Sequence, residues 1–159
     1  MKLGVYPGTF DPFTNGHLDL VTRGVRIFDE LIIAVAPSTN KKPLFTLEER
    51  IELIKKSVSD FANVRIDIFS NLLVEYVRQK GGAAILRGLR AVSDFEYELQ
   101  IALMNRRLDA GIETVFMMPS EEYSFLSSTI VKEVASFGGS VSGLVPSFVE
   151  GALKEKFGR

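Results

Sequence analysis

The chain of 159 residues has a single histidine, and it stands in PGTFDPFTNGHLDL, residues 7 to 20. Gly8 and Gly16 permit close backbone approach, and Thr14 or Asn15 can cap a helix beginning there. His17 then falls in the first helical turn, where unpaired N–H groups and the positive end of the helix dipole favour an anion. A phosphate bound at that point would meet backbone donors and an imidazole together. The same residues also suit a plain capped turn with a surface histidine, so the reading depends on what other segments bring to the same place.

Three other stretches bring anion-binding groups. STNKKPLF (38–45) holds Lys41 and Lys42, a pair that fits either solvent or a phosphate. LRGLRAVSDF (86–95) sets Arg87 and Arg90 around Gly88, and the planar guanidinium fork matches phosphate oxygens. PSEEYSFLSSTIVK (119–132) brings Ser127, Ser128 and Thr129 to a helix start, more hydroxyls than one N-cap requires. Four anion-friendly stretches in a chain without net positive charge read as a polyphosphate site, hence a nucleotide site, since few other small cellular ligands carry several phosphates. The phosphate loop G-x-x-x-x-G-K-[ST], the dinucleotide fingerprint G-x-G-x-x-G and the hydrolase elbow G-x-S-x-G are all absent. Asp11 precedes a proline in a turn and is read as structural rather than as a metal ligand.

These segments need a scaffold that gathers them. LGVY (3–6), LIIAVA (31–36), VRIDIF (64–69), AAIL (83–86) and TVFMM (114–118) read as strands. Helical periodicity fills the intervals. Leu18, Val21, Val25 and Phe28 form one face. Thr46 with Glu49 makes a capping box ahead of Ile51, Ile54 and Val58, and Ser93 with Glu96 a second box before a helix stopped at Gly111. NLLVEYVRQKGG ends at a glycine stop, serines open a further helix, and Pro146 stands near the first turn of the last. Strands alternating with helices predict a single-domain, doubly wound, open parallel sheet, Rossmann-like, with helices on both faces. Ligands in such sheets lie beyond the carboxyl ends of the strands, which selects the loops 7–17, 37–46, 70–73, 87–93 and 119–128.

The totals narrow the alternatives. The formal net charge of −1 argues against broad binding of nucleic acid. With no cysteine and one histidine, disulfides, thiol nucleophiles and multi-histidine metal sites are excluded. No segment reads as a signal peptide or membrane span, and the expectation is a soluble cytoplasmic protein. A mean hydropathy of +0.15 points to self-association.

PGTFDPFTNGH carries the T-x-G-H signature of the nucleotidyltransferases, and FLSSTIVK resembles their second signature, with Leu126 where the pattern has isoleucine. YPGTFDPFTNGH, KKPLFTLEER, RGLRAVSDFEYE and SFLSSTIVKEV together resemble the bacterial phosphopantetheine adenylyltransferases over essentially the whole chain. The resemblance implies transfer of AMP from ATP to 4′-phosphopantetheine, giving dephospho-coenzyme A and pyrophosphate, with Mg²⁺ accompanying the nucleotide. It implies that Thr9, Lys41, Leu73 and Arg87 contact the pantetheine substrate. Thr9, Phe10, His17, Gly88, Leu89, Arg90, Glu98, Tyr123, Ser124, Phe125, Leu126, Ser127, Ser128 and Thr129 would hold ATP. His17, Lys41 and Arg90 would be catalytic, His17 stabilising the transition state and Lys41 orienting the incoming phosphate. A homohexamer inhibited by coenzyme A is a further implication. The competing readings are a nucleotidyltransferase acting on nicotinate mononucleotide or making a CDP-linked product, a non-catalytic nucleotide-binding module, and a plain assembly protein.

Overall fold

A computed structural model describes residues 1–37, 42–91 and 95–159. It contains one parallel sheet of five strands, β1 (Leu3–Gly8), β2 (Glu30–Val35), β3 (Val64–Ile68), β4 (Ala84–Gly88) and β5 (Glu113–Met117), in the order β3-β2-β1-β4-β5. Six helices join and follow them: α1 (Asn15–Gly24), α2 (Leu47–Ser57), α3 (Leu73–Gln79), α4 (Phe95–Leu108), α5 (Ser128–Ser136) and α6 (Ser147–Lys156). A single 3-10 turn covers Glu121–Tyr123.

Successive strand residues point to opposite faces, and each face has its own cover. Leu31, Ile33, Val35, Tyr6 and Leu86 meet Leu20 and Val21 of α1 and Ile54 of α2 on one side. Leu3, Val5, Ile32, Ala34 and Ile85 meet Val74, Tyr76 and Val77 of α3 on the other. Each fully buried Ile, Leu or Val contributes about 1.5–3 kcal/mol, so the two layers anchor the sheet independently. A third cluster, with Phe45, Leu126, Val131, Val149 and Leu153, joins α5 and α6 to the start of α2. α4 buries none of its side chains and exposes Phe95, Leu99, Leu103, Met104 and Leu108.

The expected strands are all present, with shifted ends. β1 continues to Gly8, paired residue for residue with β2 as far as Gly8 opposite Val35. β4 runs two residues past the expected Leu86, so Arg87 and Gly88 belong to the ladder, opposite Phe116 and Met117, rather than to the following loop. Gly88 lacks the Cβ that would stand 3.1 Å from Leu20, and this lets the strand pass under α1. The capping box of α2 forms as expected: the Thr46 hydroxyl accepts from the Glu49 N–H at 3.1 Å, and the Glu49 carboxylate accepts from the Thr46 N–H at 2.8 Å. α1 ends at Gly24, so Phe28 lies beyond the helix and packs its ring where Gly4 has no side chain. α4 stops at Leu108 rather than at Gly111, because the Asp109 carboxylate takes the Gly111 N–H at 3.0 Å and turns the chain early. Ser93 lies outside the described residues.

Candidate active site

β1 is flanked by β2 on one side and β4 on the other, so the connections leaving β1 and β4 diverge and open a crevice above their carboxyl ends. A cavity of about 180 Å³ occupies it, walled by Gly8, Thr9 and Phe10 after β1, by Gly16 and His17 of α1, by Arg87, Gly88 and Arg90 at the end of β4, and by Glu98, Tyr123 and Leu126. Residues expected from separate loops thus come together at one sheet edge. Lys41 lies outside the described residues. Leu89, Ser124, Phe125, Ser127, Ser128 and Thr129 do not line the cavity.

The first loop owes its shape to three local features. The Asp11–Pro12 bond is cis, and Phe10 adopts a left-handed conformation with φ of 54°. A Cβ on Gly8 would meet the Phe10 ring at 2.9 Å, so glycine there allows that ring to fold back over the strand end. Phe10 then stands edge-on to His17 with centroids 5.0 Å apart, and Phe13 lies 5.4 Å from the imidazole.

Thr14 caps α1, and His17 occupies the third helical position usually held by Glu or Gln in a capping box. The Thr14 hydroxyl accepts from the His17 N–H at 3.3 Å, and His17 Nδ1 accepts from the Thr14 N–H at 3.0 Å. With Nδ1 committed as an acceptor, the ring proton sits on Nε2. Burial among the aromatic rings, and then the nearby Arg90 cation, push the imidazole pKa down to about 3. His17 is therefore a neutral donor. The remaining helix-end donors are partly spent, since the Asn15 N–H goes to the Leu144 carbonyl at 2.9 Å.

The arginines are also engaged. Arg87 grips Glu98 through both arms of its fork, Nε to Oε2 at 3.0 Å and Nη2 to Oε1 at 2.7 Å. An anion reaching that fork must compete with the carboxylate. Arg90 donates to the Leu126 carbonyl, and the Ala91 N–H bonds Ser124 O at 3.0 Å, so the fourth and fifth loops are laced together. The three hydroxyls of the fifth loop separate in role. Ser127 caps α5, accepting from the Ile130 N–H at 3.1 Å. Ser128 donates to Pro12 O at 2.8 Å, and Thr129 is exposed. The sequence treated them as one cradle, but Ser127 serves its own helix and Ser128 ties the fifth loop to the first.

Leu73 lines a neighbouring cavity of about 240 Å³ with Tyr97, Ile101, Ala102 and Asn105 of α4. Arg87 and Glu98 belong to both cavities, so their ion pair is the shared wall. Asp11 is structural, as expected: its carboxylate accepts from the N–H groups of Leu44 and Phe45, both at 2.9 Å, and from Lys132 Nζ at 2.9 Å. Among the described residues, no group of three His, Asp or Glu side chains could hold a metal ion. Sequence reasoning missed Tyr6, whose buried ring is part of the cavity wall, and Arg50, which is 2% exposed. The signal for Arg50 was its spacing, four residues before Ile54 on the inward face of α2.

The cytidylyltransferase-like family model matches residues 5–134. The phosphopantetheine adenylyltransferase of Thermodesulfovibrio yellowstonii is 61% identical over 157 residues, covering 98% of both chains. That of Alkaliphilus oremlandii is 57% identical, covering 99% of this chain and 100% of its own. Among solved structures, a bifunctional NMN adenylyltransferase/ADP ribose pyrophosphatase from Francisella tularensis, complexed with AMP and a manganese ion, superposes with a TM-score of 0.69 at 16% identity. It covers 99% of this chain and 49% of that one, a likeness of fold. Within the cytidylyltransferase-like fold, the chain belongs to the phosphopantetheine adenylyltransferase family.

Proposed function

We propose that the chain transfers the adenylyl group of ATP to the phosphate of 4′-phosphopantetheine, releasing pyrophosphate and dephospho-coenzyme A. The observation that carries this reading is the gathering of His17, Arg87, Arg90, Thr9 and Phe10 in one crevice where, among the described residues, no carboxylate is poised as a base, since Glu98 is held by Arg87. A phosphate monoester with its second pKa near about 6 is already a nucleophile at neutral pH. Its oxygen attacks the α-phosphorus while the bond to the β-phosphate oxygen breaks. Total charge is conserved without a proton changing hands.

The protein then has two tasks, alignment and offsetting charge on the α-phosphoryl oxygens. His17 Nε2–H donates to those oxygens, and its neutrality spares the empty site an uncompensated buried cation. Arg90 supplies fixed positive charge beside them, and Lys41 orients the incoming phosphate. ATP lies along Thr9, Phe10, Gly88 to Arg90, Glu98 and the segment from Tyr123 to Thr129. The pantetheine arm takes the apolar cavity of Leu73 and α4, and its phosphate meets Arg87 at the shared wall. Mg²⁺ would enter with the triphosphate: among the described residues the cleft offers it one carboxylate, Glu98, so it would be held chiefly by phosphate oxygens and water and would neutralise phosphate charge.

The exposed apolar face of α4 supports burial against other copies, in a homohexamer as the family resemblance implies, with coenzyme A as feedback inhibitor. Among the described residues no helix is long and apolar enough to cross a membrane, and we place the enzyme in the cytoplasm. The test is pyrophosphate release from ATP with and without 4′-phosphopantetheine. Release is expected only with that acceptor. Equal turnover with nicotinate mononucleotide, or with CTP as donor, would reject the assignment.

A further inference from the structure

Among the described residues, Arg50 has the largest fully buried side chain, yet it is charged and its Nε has no hydrogen-bond partner. Filling space does not explain it, since an apolar side chain of like volume would fit without an orphaned donor. What the guanidinium does is specific. Its Nη1 donates to Thr9 O at 2.8 Å and to Ala36 O at 2.9 Å. Those carbonyls lie just beyond the carboxyl ends of β1 and β2. One opens the loop that ends in His17. The other opens the segment that contains Lys41.

The far end of that segment is fixed as well. Leu44 and Phe45 donate their N–H groups to Asp11, which belongs to the first loop and is itself paired with Lys132. The Ala36 N–H also bonds Gly8 O at 2.9 Å. Both ends of the Lys41 segment are thus tied to residues 8–11, one through Arg50 and the other through Asp11. Burial lowers the Arg50 pKa while the neighbouring Asp11 carboxylate raises it, so the two charges lie within each other's field.

We infer that Arg50 is a positioning residue for the adenylyl transfer: it spans the exits of β1 and β2 and sets the separation between the imidazole loop and the chain leaving β2 at Ala36. This rests on the proposed function, because the separation matters only if both loops hold reacting phosphates. Arg50 itself touches no substrate. Misplacement of a reacting group by about 1 Å costs about 10²-fold in rate, and this is the scale expected.

The experiment compares the unmodified enzyme, Arg50→Met and Arg50→Lys in the pyrophosphate-release assay, well below each protein's melting temperature. Affinity for a non-hydrolysable ATP analogue is measured alongside by calorimetry. If the unmodified enzyme shows no acceptor-dependent release, the functional reading fails and Arg50 is not at issue. If it is active, folded Arg50→Met is expected to lose about 10²-fold in kcat with less than threefold change in analogue affinity, and Arg50→Lys to recover part of the loss. A folded Arg50→Met with a lowered melting temperature but kcat within threefold of the unmodified enzyme would make Arg50 merely structural and overturn the proposal. Should Arg50→Met fail to fold, Arg50→Lys alone decides by the same kcat criterion. Should neither fold, nitrogen-15 NMR of the Arg50 guanidinium in the unmodified enzyme decides: Nη protons that exchange as slowly as the core amides support a fixed bridge between the Thr9 and Ala36 carbonyls, and exchange at the rate of a solvated arginine refutes it.

Discussion

Placing a histidine where a capping box normally carries Glu or Gln makes the helix start sensitive to a proton. Nδ1 holds the Thr14 N–H only while unprotonated, and the aromatic cage lowers the pKa to about 3. At pH 5 an ordinary imidazole is about 97% charged, whereas this one is about 1% charged. Because the chain has one histidine, a nitrogen-15 NMR titration sees this ring alone. The expected spectrum has an Nε2–H, an unprotonated Nδ1 and no change from pH 8 to pH 5. The sign for stability follows from linkage. Above about pH 6.5 both states are neutral and His17 adds no pH dependence. Between about pH 6.5 and pH 3 the unfolded chain takes up a proton that the native state refuses, so stability falls on acidification, by up to about 1.4 kcal/mol per pH unit. His17→Gln can keep the capping box and cannot titrate. Denaturant unfolding at pH 6.5 and pH 5.5 is therefore expected to show a steeper loss in the unmodified protein than in His17→Gln. A ring that titrates near pH 6.5, or equal losses in the two proteins, would refute the neutral-donor argument.

Three other substitutions test separate parts of the structure. His17→Ala should lower kcat by about 10²–10³-fold while changing ATP affinity little, measured by pyrophosphate release and calorimetry. Arg87→Lys keeps the charge but cannot reproduce the two-armed grip on Glu98 or on a phosphate. KM for 4′-phosphopantetheine should rise, and unchanged kinetics would remove Arg87 from the site. Gly4→Ala would place a methyl group 2.7 Å from the Phe28 ring, and thermal unfolding should report a loss of about 1–3 kcal/mol.

The first loop was legible because its signals are local: glycines, a cap and an aspartyl-proline pair lie within ten residues of His17. The strand pattern was legible for the same reason, since β-branched runs that bury both faces leave little choice. The end of β4 was misplaced because Arg87 and Gly88 resemble loop residues, whereas pairing with β5 carries the ladder through them. Arg50 was invisible because a charged residue on a helix is assigned to solvent unless its position on the apolar stripe is weighed above its chemistry. Of the hydroxyls at 127 and 128, Ser127 makes the N-cap bond to Ile130 that its spacing encodes, whereas Ser128 bonds Pro12 O, a distant pairing that no spacing rule encodes.

The start of α1 is finished by residues near the other end of the chain. Asn15 donates its backbone N–H to Leu144 O and its side-chain amide to Gly143 O, each at 2.9 Å, across 128 positions for the amide contact. During synthesis, the histidine loop leaves the ribosome long before those carbonyls exist. A chain released early, or cut ahead of residue 143, would carry every residue proposed to meet substrate and still lack the clasp on its first helix. The helix start that carries His17 thus gains its Asn15 contacts only once residues 143 and 144 have been added.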